Sequence, residues 1–164
     1  PEGRPRRRRP VTVSSSPQRH RDTETTDAMG LNQMTEQVIG AAIEVHRALG
    51  PGLLESAYEE CLSYELTLRD VPFRRQIPLP LVYKGAKLDC GYRLDLLVAD
   101  ALVVEIKTVE HLDPIHIAQV LTYLKMGGWP LGLIFNFNLA ALKNGIKRVI
   151  NGSLEAAAQG LPKA

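Results

Sequence analysis

The sequence of 164 residues has little cysteine, few aromatic residues and no long hydrophobic run. Its two cysteines, Cys61 and Cys90, exclude a disulfide framework and a four-cysteine zinc site. They favour a reducing compartment, so we expect a cytoplasmic protein. The longest apolar runs, such as Leu131–Phe135, are far shorter than the ~20 residues that span a bilayer, which excludes a transmembrane helix. The sequence also lacks a glycine-rich phosphate loop, a Gly-x-Ser-x-Gly motif and a histidine-carboxylate zinc signature, so it gives no support to a small-molecule enzyme.

Positive charge is concentrated at the start of the chain. Residues 1–28 contain seven arginines and four acidic residues, whereas the remainder contains 13 basic and 14 acidic residues. We expect residues 1–28 to form a disordered basic tail, because they are rich in Pro, Arg, Ser and Thr and offer almost no large apolar side chain. The tail is either a solvated leader or sequence upstream of a start at Met29 or Met34. Any nucleic-acid contact on the rest of the chain requires a local basic patch, since no net positive charge remains there.

Hydrophobic periodicity predicts helices and strands in a definite order. Helical spacing covers 35–49, with Thr35 as N-cap, then 53–69, and then 114–126 after the N-cap residue Asp113. Strand patterns cover 73–81, which contains two prolines and so suits a sheet edge, then 87–98, 102–107, 131–137 and 146–150. Turns are predicted at 83–85, 99–101 and 144–145.

This order predicts a mixed α/β domain over residues 29–150, followed by a weakly structured end at 151–164. Three strands form a meander, and a helix then crosses over to a further strand. Such connections place helices on both faces of one sheet.

Three charged residues stand out within two of the apolar strand patterns. Glu105 and Lys107 are two positions apart and share a face, and Asp95 lies on the preceding strand. Buried charges are costly unless they are paired or bound to a metal, and two neighbouring carboxylates repel each other. Mg²⁺ prefers oxygen ligands and would relieve both costs. Lys107 would then hold or help deprotonate an attacking water, or neutralise a phosphate oxygen. The alternative is a structural salt bridge between Lys107 and one of the acids.

These residues resemble the motif of the PD-(D/E)XK nuclease superfamily, and a longer pattern is similar to one branch of it, the GxxExxY protein family. The naming motif stands at Gly52–Tyr58. Further stretches similar to that family are 41–52, 75–76, 118–124, 136–137 and 145–148.

The resemblance implies a restriction-endonuclease-like αβββαβ core with metal-dependent phosphodiesterase activity. Asp95 and Glu105 match the superfamily's metal-binding acids, Lys107 matches its catalytic lysine, and Ile106 would offer a backbone carbonyl to the metal. Glu55 is the candidate for a further acid from the first core helix. Two interpretations stay open for Glu55, a metal ligand or an acid placed to favour the helix dipole. Glu44 is a weaker alternative.

Gln119 and Tyr123 lie four residues apart on the last helix and share a face with His116. They resemble the Gln…Tyr pair of RecB-like nucleases, which contacts substrate or supports the site. The alternative is a polar flank of an amphipathic helix. His111 and His116 lie near the site without an assigned role, and the N-terminus of this helix at Asp113-Pro114 is a candidate phosphate site. Basic residues outside the motif are either a local phosphate-binding rim or ordinary solvated surface: Arg74, Arg75, Arg93, Lys143, Lys147 and Arg148.

We therefore expect a Mg²⁺- or Mn²⁺-dependent nuclease that acts on DNA or RNA and has no membrane partner. The alternative is a non-catalytic module on the same fold that binds nucleic acid or protein.

Overall fold

A computed structural model describes residues 30–152. Its elements, in chain order, are α1 (Leu31–Leu49), α2 (Glu55–Leu68), β1 (Phe73–Pro78), β2 (Leu81–Tyr83), β3 (Ala86–Leu88), β4 (Arg93–Val98), β5 (Leu102–Lys107), α3 (Pro114–Gly127), β6 (Leu131–Asn136), a 3₁₀ turn (Leu142–Gly145) and β7 (Ile146–Ile150). The tail expected at 1–28 and most of the end expected at 151–164 lie outside the described residues.

A five-stranded mixed sheet in the order β1-β4-β5-β6-β7 forms the centre of the molecule. The strands β1, β4 and β5 pair antiparallel as a meander. The chain then passes through α3, and β6 lies parallel to β5. Strand β1, which ends at Pro78, is at the sheet edge as predicted. The expected mixed α/β architecture is confirmed.

Helices cover both faces of the sheet and bury a separate cluster of apolar side chains on each. One cluster joins α1 and α2 to side chains that include Leu96, Val104 and Phe135. The other joins α3 to side chains that include Val103 and Ile134. Neighbouring residues on β5 enter opposite clusters, as strand geometry requires. Polar residues at the end of β5 can therefore meet elements from both sides.

Three predicted boundaries were wrong. The strand predicted over 73–81 ends at Pro78, and Leu81 begins the separate strand β2. The first helix begins at Leu31 after the N-cap residue Gly30, and Thr35 is buried inside it, where its hydroxyl donates to the Leu31 carbonyl at 2.8 Å. The residues predicted as one long strand, 87–98, are divided between β3 and β4. Gly91 has φ 74°, and its N–H donates to the Asp89 carboxylate at 3.0 Å, so a local turn replaces strand pairing there.

Two short connections match their predictions. Residues 99–101 connect β4 to β5, since the register pairs Val98 with Leu102, and Ala99 and Asp100 both have positive φ, 47° and 53°. The Ala101 N–H donates to the Val98 carbonyl at 3.1 Å and closes the turn. The turn at Lys84-Gly85 is also present, although it joins the small separate hairpin of β2 and β3. Within residues 30–152, none of the helices combines the length and hydropathy that crossing a membrane requires.

Candidate active site

Asp95 and Glu105 lie side by side on the paired strands β4 and β5. The register pairs Leu96 with Val104, and one step further places Asp95 opposite Glu105. The Asp95 carboxylate accepts a hydrogen bond from the Ile106 N–H at 2.7 Å. The Glu105 carboxylate in turn interacts with the backbone N–H of Asp95. The tight turn over 99–101 favours this register, because a three-residue connection brings Val98 opposite Leu102.

Burial makes this carboxylate pair unfavourable when no cation is present. Burial, together with the negative charge of Asp95, raises the pKa of Glu105 to about 8. Burial also raises the pKa of Asp95 to about 6, against the lowering effect of the Ile106 N–H. The Glu105 Oε2 atom is buried and has no hydrogen-bond partner among the described residues. The site therefore holds an oxygen that needs a proton or a cation.

Lys107 supplies the positive charge nearest to this pair. Its Nζ atom lies 3.7 Å from Glu105 Oε1 and donates a hydrogen bond to Gln119 Oε1 at 3.3 Å. The Gln119 amide then donates to the Tyr123 hydroxyl at 2.9 Å. Lys107 is mostly buried, with a side chain 16% exposed. Burial and the charge of Glu105 raise the pKa of Tyr123, which keeps its hydroxyl protonated.

Glu55 approaches from the other face of the sheet. It is the first residue of α2, and its carboxylate accepts the Thr108 N–H at 3.1 Å, just beyond the end of β5. Its charge contributes to raising the pKa of both Asp95 and Glu105. The structure thus places Glu55 beside the pair, while its carboxylate also lies at the helix N-terminus. Both interpretations of Glu55 remain compatible with this position.

The residues around Glu55 explain the spacing of the Gly52–Tyr58 motif. Gly52 has φ 105°, a conformation that favours glycine. The Tyr58 hydroxyl accepts the Leu53 N–H at 3.2 Å and donates to the Gly50 carbonyl, so it closes the loop before α2. The Tyr58 ring stacks on Phe137 at 4.3 Å between centroids. The tyrosine therefore fixes the start of α2, and with it the position of Glu55.

Asn136 fixes the segment that follows β5. It pairs with Lys107 in the β5–β6 register and is 1% exposed. Its side-chain amide accepts the Val109 N–H at 3.1 Å and donates to the Val109 carbonyl at 2.8 Å. These bonds hold the backbone next to Thr108, whose N–H meets Glu55.

Sequence reasoning missed Glu59, a buried glutamate one helical turn after Glu55. Its carboxylate binds Arg75 Nε at 3.0 Å and Gln76 Nε2 at 2.7 Å. Gln76 has φ 49°, which allows two neighbouring residues of β1 to reach the same carboxylate. The charge of Glu59 also raises the pKa of Asp95. A signal was available, because residues four apart on a helix share a face and Glu59 follows Glu55 at that spacing.

Several other candidates have local partners. Glu44 is exposed and pairs with Arg47 at 2.9 Å, on helix α1. The His116 ring accepts the Asp113 N–H at 3.0 Å, so this histidine caps α3. His111 is 80% exposed beside Glu110. Of the basic residues considered for a rim, three have polar partners: Arg74 pairs with Asp100, Arg75 pairs with Glu59 and Glu60, and Arg148 donates to Asn32.

The donor set fits a hard divalent cation. Across residues 30–152, no group of three His, Cys, Asp or Glu side chains is arranged to hold a metal. Asp95 and Glu105 nevertheless bring two carboxylates together, and Glu105 Oε2 lacks a partner in this part of the chain. Mg²⁺ is often held by one or two carboxylates and several waters, so two acids and a backbone carbonyl are sufficient.

Comparisons with known proteins give one match. A family model described as the PD-(D/E)XK nuclease superfamily matches residues 32–149. No curated protein and no solved structure matches the chain significantly. The matched range includes every residue of the candidate site.

Proposed function

This chain belongs to the PD-(D/E)XK nuclease superfamily, and from that membership we propose that it is a divalent-metal-dependent nuclease. The ion is Mg²⁺ or Mn²⁺, and the reaction is hydrolysis of phosphodiester bonds in DNA or RNA. The observation that carries the proposal is the buried pair of Asp95 and Glu105, with an unpartnered carboxylate oxygen, beside Lys107. We also assign the chain to the GxxExxY branch, on the basis of Gly52, Glu55 and Tyr58.

Asp95, Glu105 and the Ile106 carbonyl would hold the ion, with Glu55 as a further acid. Such an ion, when bound, lowers the pKa of a coordinated water and stabilises negative charge on the phosphate. Asp95 is held in place by the Ile106 N–H. Burial of the two acids on β4 and β5 keeps competing water away from them and preserves their geometry.

Lys107 would orient the reacting groups. Its ammonium group has three hydrogens, of which Gln119 accepts one, while Glu105 at 3.7 Å is an ion-pair partner beyond hydrogen-bond distance. The other hydrogens are available to a phosphate oxygen or to the attacking water. In the reaction the water oxygen gives up a proton to solvent and bonds to phosphorus, the bond from phosphorus to one bridging oxygen breaks, and that leaving oxygen takes up a proton from solvent. Gln119 and Tyr123 act through Lys107 as positioning residues, because they hold its side chain in one direction.

The test is cleavage of single- and double-stranded DNA and RNA by the purified chain with Mg²⁺ or Mn²⁺. Asp95→Asn and Lys107→Ala should each reduce the rate at least a hundredfold, because each removes a charged group from the reacting centre. Asp89→Asn and Lys125→Ala are matched controls at exposed positions and should cleave at the normal rate. Metal-dependent cleavage that is equal in all five proteins would refute the proposal.

A second measurement separates metal binding from turnover. Isothermal titration calorimetry should show binding of Mn²⁺ to the normal chain and to Lys107→Ala, and loss of that binding in Asp95→Asn. Binding without cleavage of any nucleic acid would favour the non-catalytic module. Absence of a divalent-ion site would contradict the proposed mechanism.

A further inference from the structure

A cavity adjoins the candidate active site on the α3 side of the sheet. Its volume is about 490 Å³, within the range typical of pockets that hold small organic groups. The lining is mostly apolar or aromatic and includes Leu81, Tyr92, Ile115, Gln119, Tyr123 and Met126. None of the groups assigned above to the metal, Asp95, Glu105, Ile106 or Glu55, lines it.

Two residues belong to both the cavity and the candidate active site. Gln119 lines the cavity and accepts the hydrogen bond from Lys107 at 3.3 Å. Tyr123 also lines it and accepts the hydrogen bond from Gln119. Because the Tyr123 hydroxyl acts as an acceptor in that bond, its own hydrogen is available to a ligand. Only the Gln119 side chain would therefore separate a group bound in the cavity from Lys107.

The walls of the cavity favour a flat, partly apolar ligand. The rings of Tyr92 and Tyr123 are 6.2 Å apart between centroids and inclined at 60°. Tyr92 is 44% exposed and Ile115 is 70% exposed, although both are large and apolar. The Tyr92 backbone is fixed, since its carbonyl accepts the Leu79 N–H at 2.8 Å. An aromatic face held at an open rim is the feature on which bases stack in proteins that bind single strands.

We propose that this cavity receives an unstacked nucleobase next to the scissile phosphate, and that the substrate is single-stranded nucleic acid. The inference rests on the function proposed above and adds the class of substrate to it. A base inside a duplex is paired and stacked, and removing it costs free energy, whereas a base in a single strand is free to enter. Tyr92 supplies the stacking face, and the Tyr123 hydroxyl and Gln119 form the polar end next to Lys107.

Binding of short oligonucleotides to the full chain tests this inference. Oligothymidine and oligouridine are compared with abasic strands of the same length and backbone, by fluorescence anisotropy without divalent ions. Cleavage does not interfere under these conditions, and repulsion of phosphate by the free carboxylates affects both kinds of strand alike. The variants are Tyr92→Ala, Tyr92→Phe and the control Tyr64→Ala, an exposed tyrosine on α2 that does not line the cavity.

We expect the normal chain, Tyr92→Phe and Tyr64→Ala to bind a base-containing strand about tenfold more tightly than the abasic strand. Tyr92→Ala should bind both strands equally, at the abasic level. Equal affinity of the normal chain for the two strands, or an unchanged preference in Tyr92→Ala, would overturn the inference. Absence of binding to either base-containing strand would overturn it as well.

The result of this binding experiment can be distinguished from the result of the cleavage experiment that tests the proposed function. A base preference that depends on Tyr92, in a chain that cleaves no nucleic acid with any divalent ion, supports the cavity and refutes the nuclease. Cleavage that is insensitive to Tyr92→Ala, in a chain without base preference, supports the nuclease and refutes the cavity.

Discussion

The electrostatics of this protein depend most on one residue, Glu105, through its carboxylate. It is 5% exposed, lies opposite Asp95 and has an oxygen without a partner among the described residues. A lysine alone does not balance two neighbouring carboxylates, since Lys107 carries one positive charge. In the metal-free protein a proton must therefore neutralise part of the negative charge of the two carboxylates. In our proposal a divalent ion does this in the active protein.

Stability of the metal-free protein should fall with rising pH. The pKa of Glu105 is about 8 in the folded chain against an ordinary value of 4.5, so between these values the folded state binds more protons than the unfolded state. The favourable contribution is complete below pH 4.5, and it is lost as the pH rises through 8, by at most ~1.4 kcal/mol per pH unit. Thermal unfolding in a chelator across this range is the measurement.

Added Mn²⁺ should raise the melting temperature more at pH 8 than at pH 5, because ion and proton compete for the same oxygens. Glu105→Gln should flatten the pH dependence and remove the response to the ion. Glu110→Gln, at an exposed glutamate nearby, should change neither. A metal-free protein whose stability rises steadily from pH 5 to pH 8 would contradict this view of Glu105.

Replacement of Gln119 by leucine should separate positioning from metal binding. Leucine is similar in size, yet it removes both the acceptor for Lys107 and the donor to Tyr123. We expect cleavage to fall about ten- to a hundredfold, since a misplaced lysine no longer orients the reacting groups. Affinity for Mn²⁺ should stay within about twofold. Lys125→Ala is the control, because this residue is exposed on the same helix and does not line the cavity described above. Equal rates in the two variants would remove Gln119 from the mechanism.

At the scale of elements, close packing of α3 on β6 holds Gln119 over the end of β5. A side chain at Gly132 would bring its Cβ to 2.7 Å from Val120 Cγ1, so the absence of a side chain allows this approach. Val120 is fully buried one residue after Gln119. The distance from helix to sheet at this point therefore affects the reach of Gln119 toward Lys107.

Gly132→Ala should destabilise the protein by ~1–3 kcal/mol, because Val120 is branched and has no room to move. Adding Val120→Ala should cost less in this variant than in the normal chain, since it removes the contacting methyl group. Urea denaturation measures both effects. Gly40→Ala is the control, because its new methyl group meets only the flexible end of Arg69. Equal stability of Gly132→Ala and the normal chain would show that the contact relaxes freely.

At the scale of the whole molecule, the sheet and its two apolar clusters form one structural unit. The described elements run from Leu31 to Ile150, and the two clusters lie on opposite faces of the same sheet. The first helix is tied to the last strand, since Arg148 donates to Asn32 at 3.3 Å. We propose that residues 29–150 constitute the nuclease-like domain, which agrees with the family match over 32–149.

A fragment of residues 30–152 should fold without the flanking sequences, because it contains all five strands and both clusters. Its melting temperature should lie within a few degrees of that of the full chain. Circular dichroism and thermal unfolding compare the two. Removal of the arginine-rich residues 1–28 should at the same time weaken non-specific binding to nucleic acid and reduce its dependence on salt. A fragment that fails to unfold cooperatively would contradict the domain proposal.

Hydrophobic periodicity was sufficient to predict most of the architecture. Strand β5 and strand β7 have the predicted bounds, and α3 differs from its prediction by one residue. The order of elements then left one topology consistent with short connections, a meander followed by a crossover. Two of the boundary errors, at Thr35 and at 87–98, occurred where a hydroxyl or a carboxylate bonds to nearby backbone instead of ending a helix or continuing a strand.

The sequence by itself determined that Glu105 and Lys107 share a face, since alternation along a strand is a local property. It also placed Asp95 on the neighbouring strand. The apolar segments that contain Asp95 and Glu105 are joined by a short turn, which leaves few other ways to pair the two strands. Only the tertiary structure decided that Glu59 lies beside this group and that Tyr92 forms one wall of a cavity shared with Gln119. Those contacts join residues of different elements, and their distances depend on how helices and sheet pack, which periodicity does not encode.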